Sequence, residues 1–335
     1  MNAKFAIITH KINFRFIMAS RVSFKVLSFN VSGAPDLQRT ADKFQSSTNA
    51  SVVKDVAVIL KGDKSVREQK YRDLMDVYMS RLLEESPDLL CLQELTKAKF
   101  LKESEHAGIP SLLKSKNYTL LSVGDSAVAY KTNKFSLLAS GPAGDPSAAA
   151  YFSDLKFNEG RFTVRVVSDH PDFGQTGTAS LSTNIKSVDL KPISCTQSLL
   201  NKVMAFIKKP KTDPADLIVY GLDANAIKKI KNEKKDEKSE ERKEWNPERV
   251  GSLDRIGLFE ENDYQTDPKD ENPTTDLHGK KQKIDHIFVK PVSCSVDSIK
   301  SIVREGLNDE SILDNPTVLP ASDHLPVFYE IEAHK

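Results

Sequence analysis

The sequence predicts an α/β fold, in one domain with many antiparallel strands. Three observations carry this. A helix-periodic segment runs straight into a short buried strand. Several short, alternating, β-rich segments follow one another in the middle of the chain. No repeat and no Pro-rich or Gly-Ser linker divides the 335 residues, although at about 150 residues per domain the length would admit two.

The elements follow in order. Val22 to Phe29 (VSFKVLSF) alternates and is β-rich, so a strand is expected there, ending at Asn30. Residues 32–62 are polar and irregular, with Gly33, Pro35 and a Ser/Thr/Asn cluster, and read as a long loop or insertion holding a short helix. From Val66 to Glu85, Leu74, Val77, Tyr78, Leu82 and Leu83 form one stripe, so a helix is expected, stopped by Pro87. Asp88 to Gln93 is a buried strand ending at Glu94, which completes the α/β signature. Tyr118–Val123, Ser126–Lys131 and Lys134–Ala139 read as a meander, and Arg161–Val167 pairs with Thr178–Asn184 across a Pro/Gly loop. Ser198–Lys208 is helical, and Asp216–Leu222 is a buried strand running into Asp223-Ala224-Asn225. Ile284–Val289 and Val327–Ile331 are the last strong strands.

Composition narrows the class. Lys and Arg number 48 against 47 Asp and Glu, a net charge of +1, which excludes binding by bulk positive charge. Recurrent apolar runs exclude a wholly disordered chain, and none approaches the roughly 18 residues of a membrane span. Cys91, Cys195 and Cys294 lack zinc spacing and are not a disulfide framework; free thiols suit the cytoplasm or nucleus. Residues 1–20 are basic, and their apolar run from Phe5 to Ile8 is too short for a secretory core. A disordered extension is expected there, with a mitochondrial presequence as the alternative. Residues 21–335 then form the domain, with a charged insertion at 228–246 that carries eight basic and six acidic residues between Lys228 and Glu244.

One pattern points to chemistry. Apolar strands end abruptly in an acid or amide at Asn30, at Glu94 and at Asp223-Ala-Asn225, while Asp285-His286 and Asp323-His324 precede the last two strands. If these strands are neighbours, the polar groups converge on one sheet edge. Carboxylates without thiolates suit a hard cation such as Mg²⁺ or Mn²⁺. Such a cation beside an acid that orients water and a protonated histidine is the equipment of phosphoryl hydrolysis.

LSFN (27–30), LCLQE (90–94), GLDANA (221–226), KIDHIFV (283–289) and SDHLPV (322–327) together resemble the endonuclease/exonuclease/phosphatase superfamily, the deoxyribonuclease I-like proteins. The resemblance spans about residues 22–332, with SDHLPV its most specific part. It implies a two-sheet β-sandwich flanked by helices, in four layers α/β/β/α. It makes Glu94 the main Mg²⁺ ligand, with Asn30 and Asp323 in or beside the metal shell. Asp223 then positions or activates water, Asn225 holds the phosphate, and His324, kept protonated by Asp285, contacts a phosphate oxygen. His286 is read as a packing residue.

The chain departs from the family pattern in two places. The family carries a His or Tyr at the end of a central strand, in a stretch like THLKS. Ser182-Thr-Asn-Ile-Lys-Ser187 is the matching stretch and puts Asn184 there. Asn hydrogen-bonds phosphate but is no acid near neutral pH. His170, in the preceding loop, is a candidate to reach the site, although a surface histidine is the first reading. Leu222 also stands where Gly commonly precedes the Asp, a minor variation.

The resemblance implies a monomeric Mg²⁺-dependent hydrolase of phosphate esters, most simply a phosphodiesterase acting on nucleic acid. Lys186, Lys191, Lys228, Lys229 and Lys231 would track the backbone, or form a solvated face. Inositol phosphates or phospholipids are the alternative substrates, although no WCDR-like signature is present. A weakly active phosphate-binding protein is the reading that Asn184 favours.

Overall fold

In a computed structural model, the structure describes residues 21–32, 34–95, 108–123, 125–143, 150–171, 174–190, 215–224, 254–277 and 280–335. Thirteen strands and seven helices are found among them. The first strand, β1 (Arg21–Asn30), is followed by α1 (Ala34–Lys43), α2 (Ala50–Lys61) and α3 (Lys64–Glu84), then β2 (Leu89–Gln93) and α4 (Gly108–Ser115). The meander is β3 (Tyr118–Val123), β4 (Ser126–Lys131) and β5 (Phe135–Pro142), continued by β6 (Tyr151–Phe157) and β7 (Thr163–Asp169). After α5 (Gly174–Leu190) come β8 (Leu217–Asp223) and α6 (Asp254–Glu261). A small hairpin, β9 (Thr275–Leu277) and β10 (Lys280–Gln282), precedes β11 (Asp285–Pro291), β12 (Ser295–Ser301), α7 (Ser311–Asp314) and β13 (Val327–His334).

Two mixed sheets result. One has the order β12-β13-β1-β2-β4-β3, and the other β11-β8-β7-β6-β5. Among the described residues only β1/β2 and β7/β8 pair in parallel; the other pairs are antiparallel. Strand periodicity sorts the side chains into layers. Phe24, Val26, Leu89 and Cys91 face Val164, Val166, Val219 and Ile287 in an apolar filling between the sheets. Leu27, Phe29, Leu90 and Leu92 face outward onto Tyr71, Met79 and Leu82 of α3. Val167, Ile218, Tyr220 and Leu222 face outward onto Leu181 and Ile185 of α5 and Phe259 of α6. The expected four layers, α/β/β/α, are present. No helix among the described residues is long and apolar enough to cross a membrane.

Three sequence expectations are corrected. Residues 34–61 are mostly helical, because Val52, Val56 and Ile59 make a buried stripe that polar neighbours obscure and Asn49 caps the second helix through its side chain. Tyr151–Phe157 is a strand, the antiparallel partner of β7. Thr178–Asn184 is not a strand: Leu181, Ile185 and Val188 recur at helical spacing and are buried against the second sheet. The expected helix 198–208, the N-terminal extension 1–20, the insertion 228–246, Lys191, Lys228, Lys229, Lys231 and Asn225 lie outside the described residues.

Candidate active site

The filling between the sheets turns polar at one end. Strand parity carries Ser28 and Asn30 of β1, Gln93 of β2, Ser168 of β7, Gly221 and Asp223 of β8, and Asp285 of β11 to the inward faces. Gln93 Nε2 donates to Ser28 Oγ and Ser168 Oγ at 3.2 Å each, tying the sheets together beneath the site. At Gly221 they approach closely: a Cβ there would lie 2.4 Å from Cys91 Cβ and 2.9 Å from Ser28 Oγ. Burial pushes the Cys91 thiol up to about 12, which removes thiolate from the ligands available near pH 7.

Asp223 Oδ2 is the centre of the cluster. Asn30 Nδ2 donates to it at 2.8 Å, and His170 Nε2 and His324 Nε2 stand 3.5 and 3.9 Å away. Glu94 Oε1 lies 3.4 Å from Asn30 Nδ2 and 3.5 Å from His170 Nε2. Glu94 and Ser32 both hold left-handed backbone, with φ of +59° and +52°. Such strain in non-glycine residues persists where the surroundings impose it, commonly at functional sites. Ser32 couples two parts of the site: its N–H donates to Asn30 Oδ1 at 2.8 Å and its hydroxyl to Asp323 Oδ1 at 2.5 Å. Ser322 donates to Asn30 O at 2.8 Å and accepts His324 N–H at 3.0 Å.

His324 Nδ1 lies 2.9 Å from Asp285 Oδ2, both residues being buried. Thr274 Oγ1 accepts the backbone N–H groups of Ile284 and Asp285 at 3.1 Å, which fixes the start of β11. Burial alone would lower the His324 pKa; Asp285 first, then Asp223 and Asp323, outweigh it and hold the ring well above its ordinary value. Burial also pushes the Asp285 carboxyl up, and the His324 ring opposes it. Both partners cannot keep a proton of their own. With three carboxylates around one imidazole, the proton belongs on His324 and Asp285 is the ionised partner.

Of the residues expected from sequence, Asn30, Glu94, Asp223, Asp285, Asp323 and His324 are brought together. Asn184 is not: it is buried on α5, and its Nδ2 donates to Asp169 Oδ2 at 3.1 Å. The imidazole at the end of a central strand is instead His170, directly after β7 and only 11% exposed at its side chain. The missed signal was VRVVSDH, another apolar strand ending in polar residues. Asn30 stands beside the carboxylates of the site: Ser32 N–H donates to its Oδ1, and its Nδ2 donates to Asp223 and lies 3.4 Å from Glu94. His286 packs on Phe288 with ring centroids 5.5 Å apart, as expected.

The donors fit a hard divalent cation. Glu94, Asp223, Asp285 and Asp323 bring four carboxylates against two imidazoles, an excess of negative charge that such an ion offsets. Asp223, Asp285 and His324 each place one ligand atom within 4.8 Å of the others.

No family model matches this sequence, and no curated protein matches it either. Solved structures do. ANGEL2, a 2',3'-cyclic phosphatase crystallised with adenosine-2',3'-vanadate, is 15% identical over 94% of this chain and 99% of its own, with a TM-score of 0.54. An endonuclease/exonuclease/phosphatase family protein from Bacteroides thetaiotaomicron is 15% identical over 94% of this chain and 96% of its own, at a TM-score of 0.51. One from Bacteroides vulgatus is 14% identical over 92% and 98%, at 0.52. The fold of this chain is the deoxyribonuclease I-like fold of the endonuclease/exonuclease/phosphatase superfamily.

Proposed function

We propose that this protein is a divalent-metal-dependent hydrolase of phosphate esters, that residues 21–335 act as one catalytic domain, and that its reaction is phosphodiester cleavage, most simply of nucleic acid. The observation that carries the reading is Asp223 Oδ2, held by Asn30 at 2.8 Å between two imidazoles at 3.5 and 3.9 Å. Glu94 with Asp323 would hold Mg²⁺ or Mn²⁺. When bound, the ion neutralises phosphate charge and favours attack at phosphorus.

Asp223 orients the attacking water and takes its proton as the new P–O bond forms, while Asn30 keeps the carboxylate aimed. His324, charged by Asp285, donates to a non-bridging phosphate oxygen and stabilises the charge that builds on it. The bond to the leaving oxygen breaks, and His170 supplies the proton that oxygen needs. With an imidazole at this position, the motive for a merely phosphate-binding protein falls away.

The test is hydrolysis of an aryl phosphodiester, single-stranded DNA, RNA, a 2',3'-cyclic nucleotide and an inositol phosphate mixture. Each is run with Mg²⁺, with chelator and with the Asp223→Ala variant. Cleavage that needs both Mg²⁺ and Asp223 is expected. Metal-independent cleavage, or cleavage that survives Asp223→Ala, would overturn the proposal.

A further inference from the structure

Asp169 ends β7, and side chains alternate along a strand. With Ser168 facing the interlayer, Asp169 faces outward beneath α5, where it is fully buried. Its Oδ2 accepts the Tyr220 hydroxyl at 2.5 Å and Asn184 Nδ2 at 3.1 Å. His170 follows it directly in the chain, one residue beyond the end of β7. A buried carboxylate costs several kcal/mol unless hydrogen bonds hold it, so packing alone would select an apolar residue here.

The clamp on Asp169 is itself rigid. Tyr220 stands edge-on to Phe259 and Tyr264, with ring centroids 4.9 and 6.2 Å away. Leu181 and Ile185 seat α5, and with it Asn184, against the second sheet. On the other side of His170, buried Pro171 confines His170 to extended backbone. The strand end is thereby restrained from both directions, one residue on either side of the imidazole.

We infer that Asp169, clamped by Tyr220 and Asn184, is a positioning residue for His170. By fixing the last residue of the strand it sets the direction in which the imidazole of the next residue leaves the strand end, toward Glu94 and Asp223 at 3.5 Å each. The inference rests on the reading of His170 as a group of the active site. Asn184 then belongs to the site through Asp169 and does not itself touch phosphate.

Because Asp169 is fully buried, replacing it tests folding as much as position. Tyr220→Phe is the cleaner variant, since it keeps the ring contacts and removes one hydrogen bond. It is expected to lower kcat roughly tenfold with KM unchanged, the effect of a reacting group held slightly off line. In a His170→Ala background the same substitution is expected to change kcat less than about twofold, because the anchor acts only through that ring. An equal loss in both backgrounds would overturn the inference.

A second readout does not need turnover. Amide hydrogen exchange at His170 is expected to quicken at least about tenfold in Tyr220→Phe, while Val164 and Val166 of β7 keep their protection. Unchanged exchange at His170 would overturn the anchor even if the protein hydrolyses nothing. Quickened exchange without hydrolysis would keep the anchor and discard the hydrolase reading.

Discussion

Replacing Gly221 by Ala tests how the sheet-to-sheet approach sets the site. In an ordinary strand this change gains roughly 0.5–1 kcal/mol, because alanine has less freedom to lose on folding. Here the new Cβ would meet Cys91 Cβ at 2.4 Å, Cys91 Sγ at 2.8 Å and Ser28 Oγ at 2.9 Å. The nearest atom is a Cβ fixed to its own backbone, so rotating a side chain cannot relieve the contact. Reaching an ordinary separation of about 3.4 Å requires β8 and β2 to part by about 1 Å, and such overpacking typically costs 1–3 kcal/mol. The clash therefore outweighs the entropy gain. At roughly 2–4 °C per kcal/mol for a domain somewhat smaller than this one, the melting midpoint should fall by several degrees.

The functional loss should exceed the loss of stability. Asp223 follows Gly221 by two residues, and the same displacement would stretch its 2.8 Å hydrogen bond from Asn30 beyond bonding distance. A shift of about 1 Å at a reacting group costs up to about 100-fold in rate. The assays are thermal unfolding and kcat on whichever phosphodiester the wild type cleaves. Adding Cys91→Gly removes two of the three colliding atoms, so the double variant should recover activity over Gly221→Ala even though a strand glycine is itself unfavourable. A Gly221→Ala protein with unchanged midpoint and kcat would refute the reasoning, as would a double variant no more active than the single one.

Glu94→Gln should cut Mg²⁺-dependent turnover by at least about 100-fold, the upper range for losing a metal contact, and abolish the rise in melting midpoint with added Mg²⁺; retention of either refutes Glu94 as ligand. Asn184→His should not raise the rate, because the ring would be buried against Asp169 on the outer face of the second sheet; instead the melting midpoint should fall. Asp216 accepts Thr163 N–H, Ser293 hydroxyl and Lys335 ammonium at 2.8, 2.5 and 2.6 Å, and these outweigh its burial to hold the carboxyl below its ordinary value. A depressed carboxyl contributes stability that is present above its unfolded pKa of about 3.9 and is lost as pH falls through the folded value. The gap in urea midpoint between wild type and Asp216→Asn should therefore be full at pH 6 and shrink below about pH 4; a gap constant with pH refutes the assignment.

Much of the site was legible because its residues sit at the ends of strands whose signals are local. An apolar, alternating run marks its own end, and Asn30, Glu94, Asp223 and Asp285 could be read from such runs without knowing which strands are neighbours. SDHLPV was legible for a different reason, its likeness to a family motif. His170 carried the same mark but reads as a surface loop histidine once Thr178–Asn184 is made the partner of its strand. That choice turns on whether Leu181, Ile185 and Val188 lie on one helical face or straddle a strand, which five apolar residues in a polar stretch do not decide. The partners of β7 are β6, just before it and antiparallel, and β8, some fifty residues on and parallel.

The sequence by itself determined the strand ends and the oxygen-rich donor set, since periodicity and residue chemistry are properties of a few neighbouring positions, while the four-layer class came with the resemblance to a family. Only the tertiary structure decided which imidazole meets Asp223, which way the Asn30 amide faces, and that Asn184 serves Asp169. Each of those depends on separate segments of the chain being held within about 4 Å, and such a distance is set by the packing of whole sheets rather than by the residues that use it.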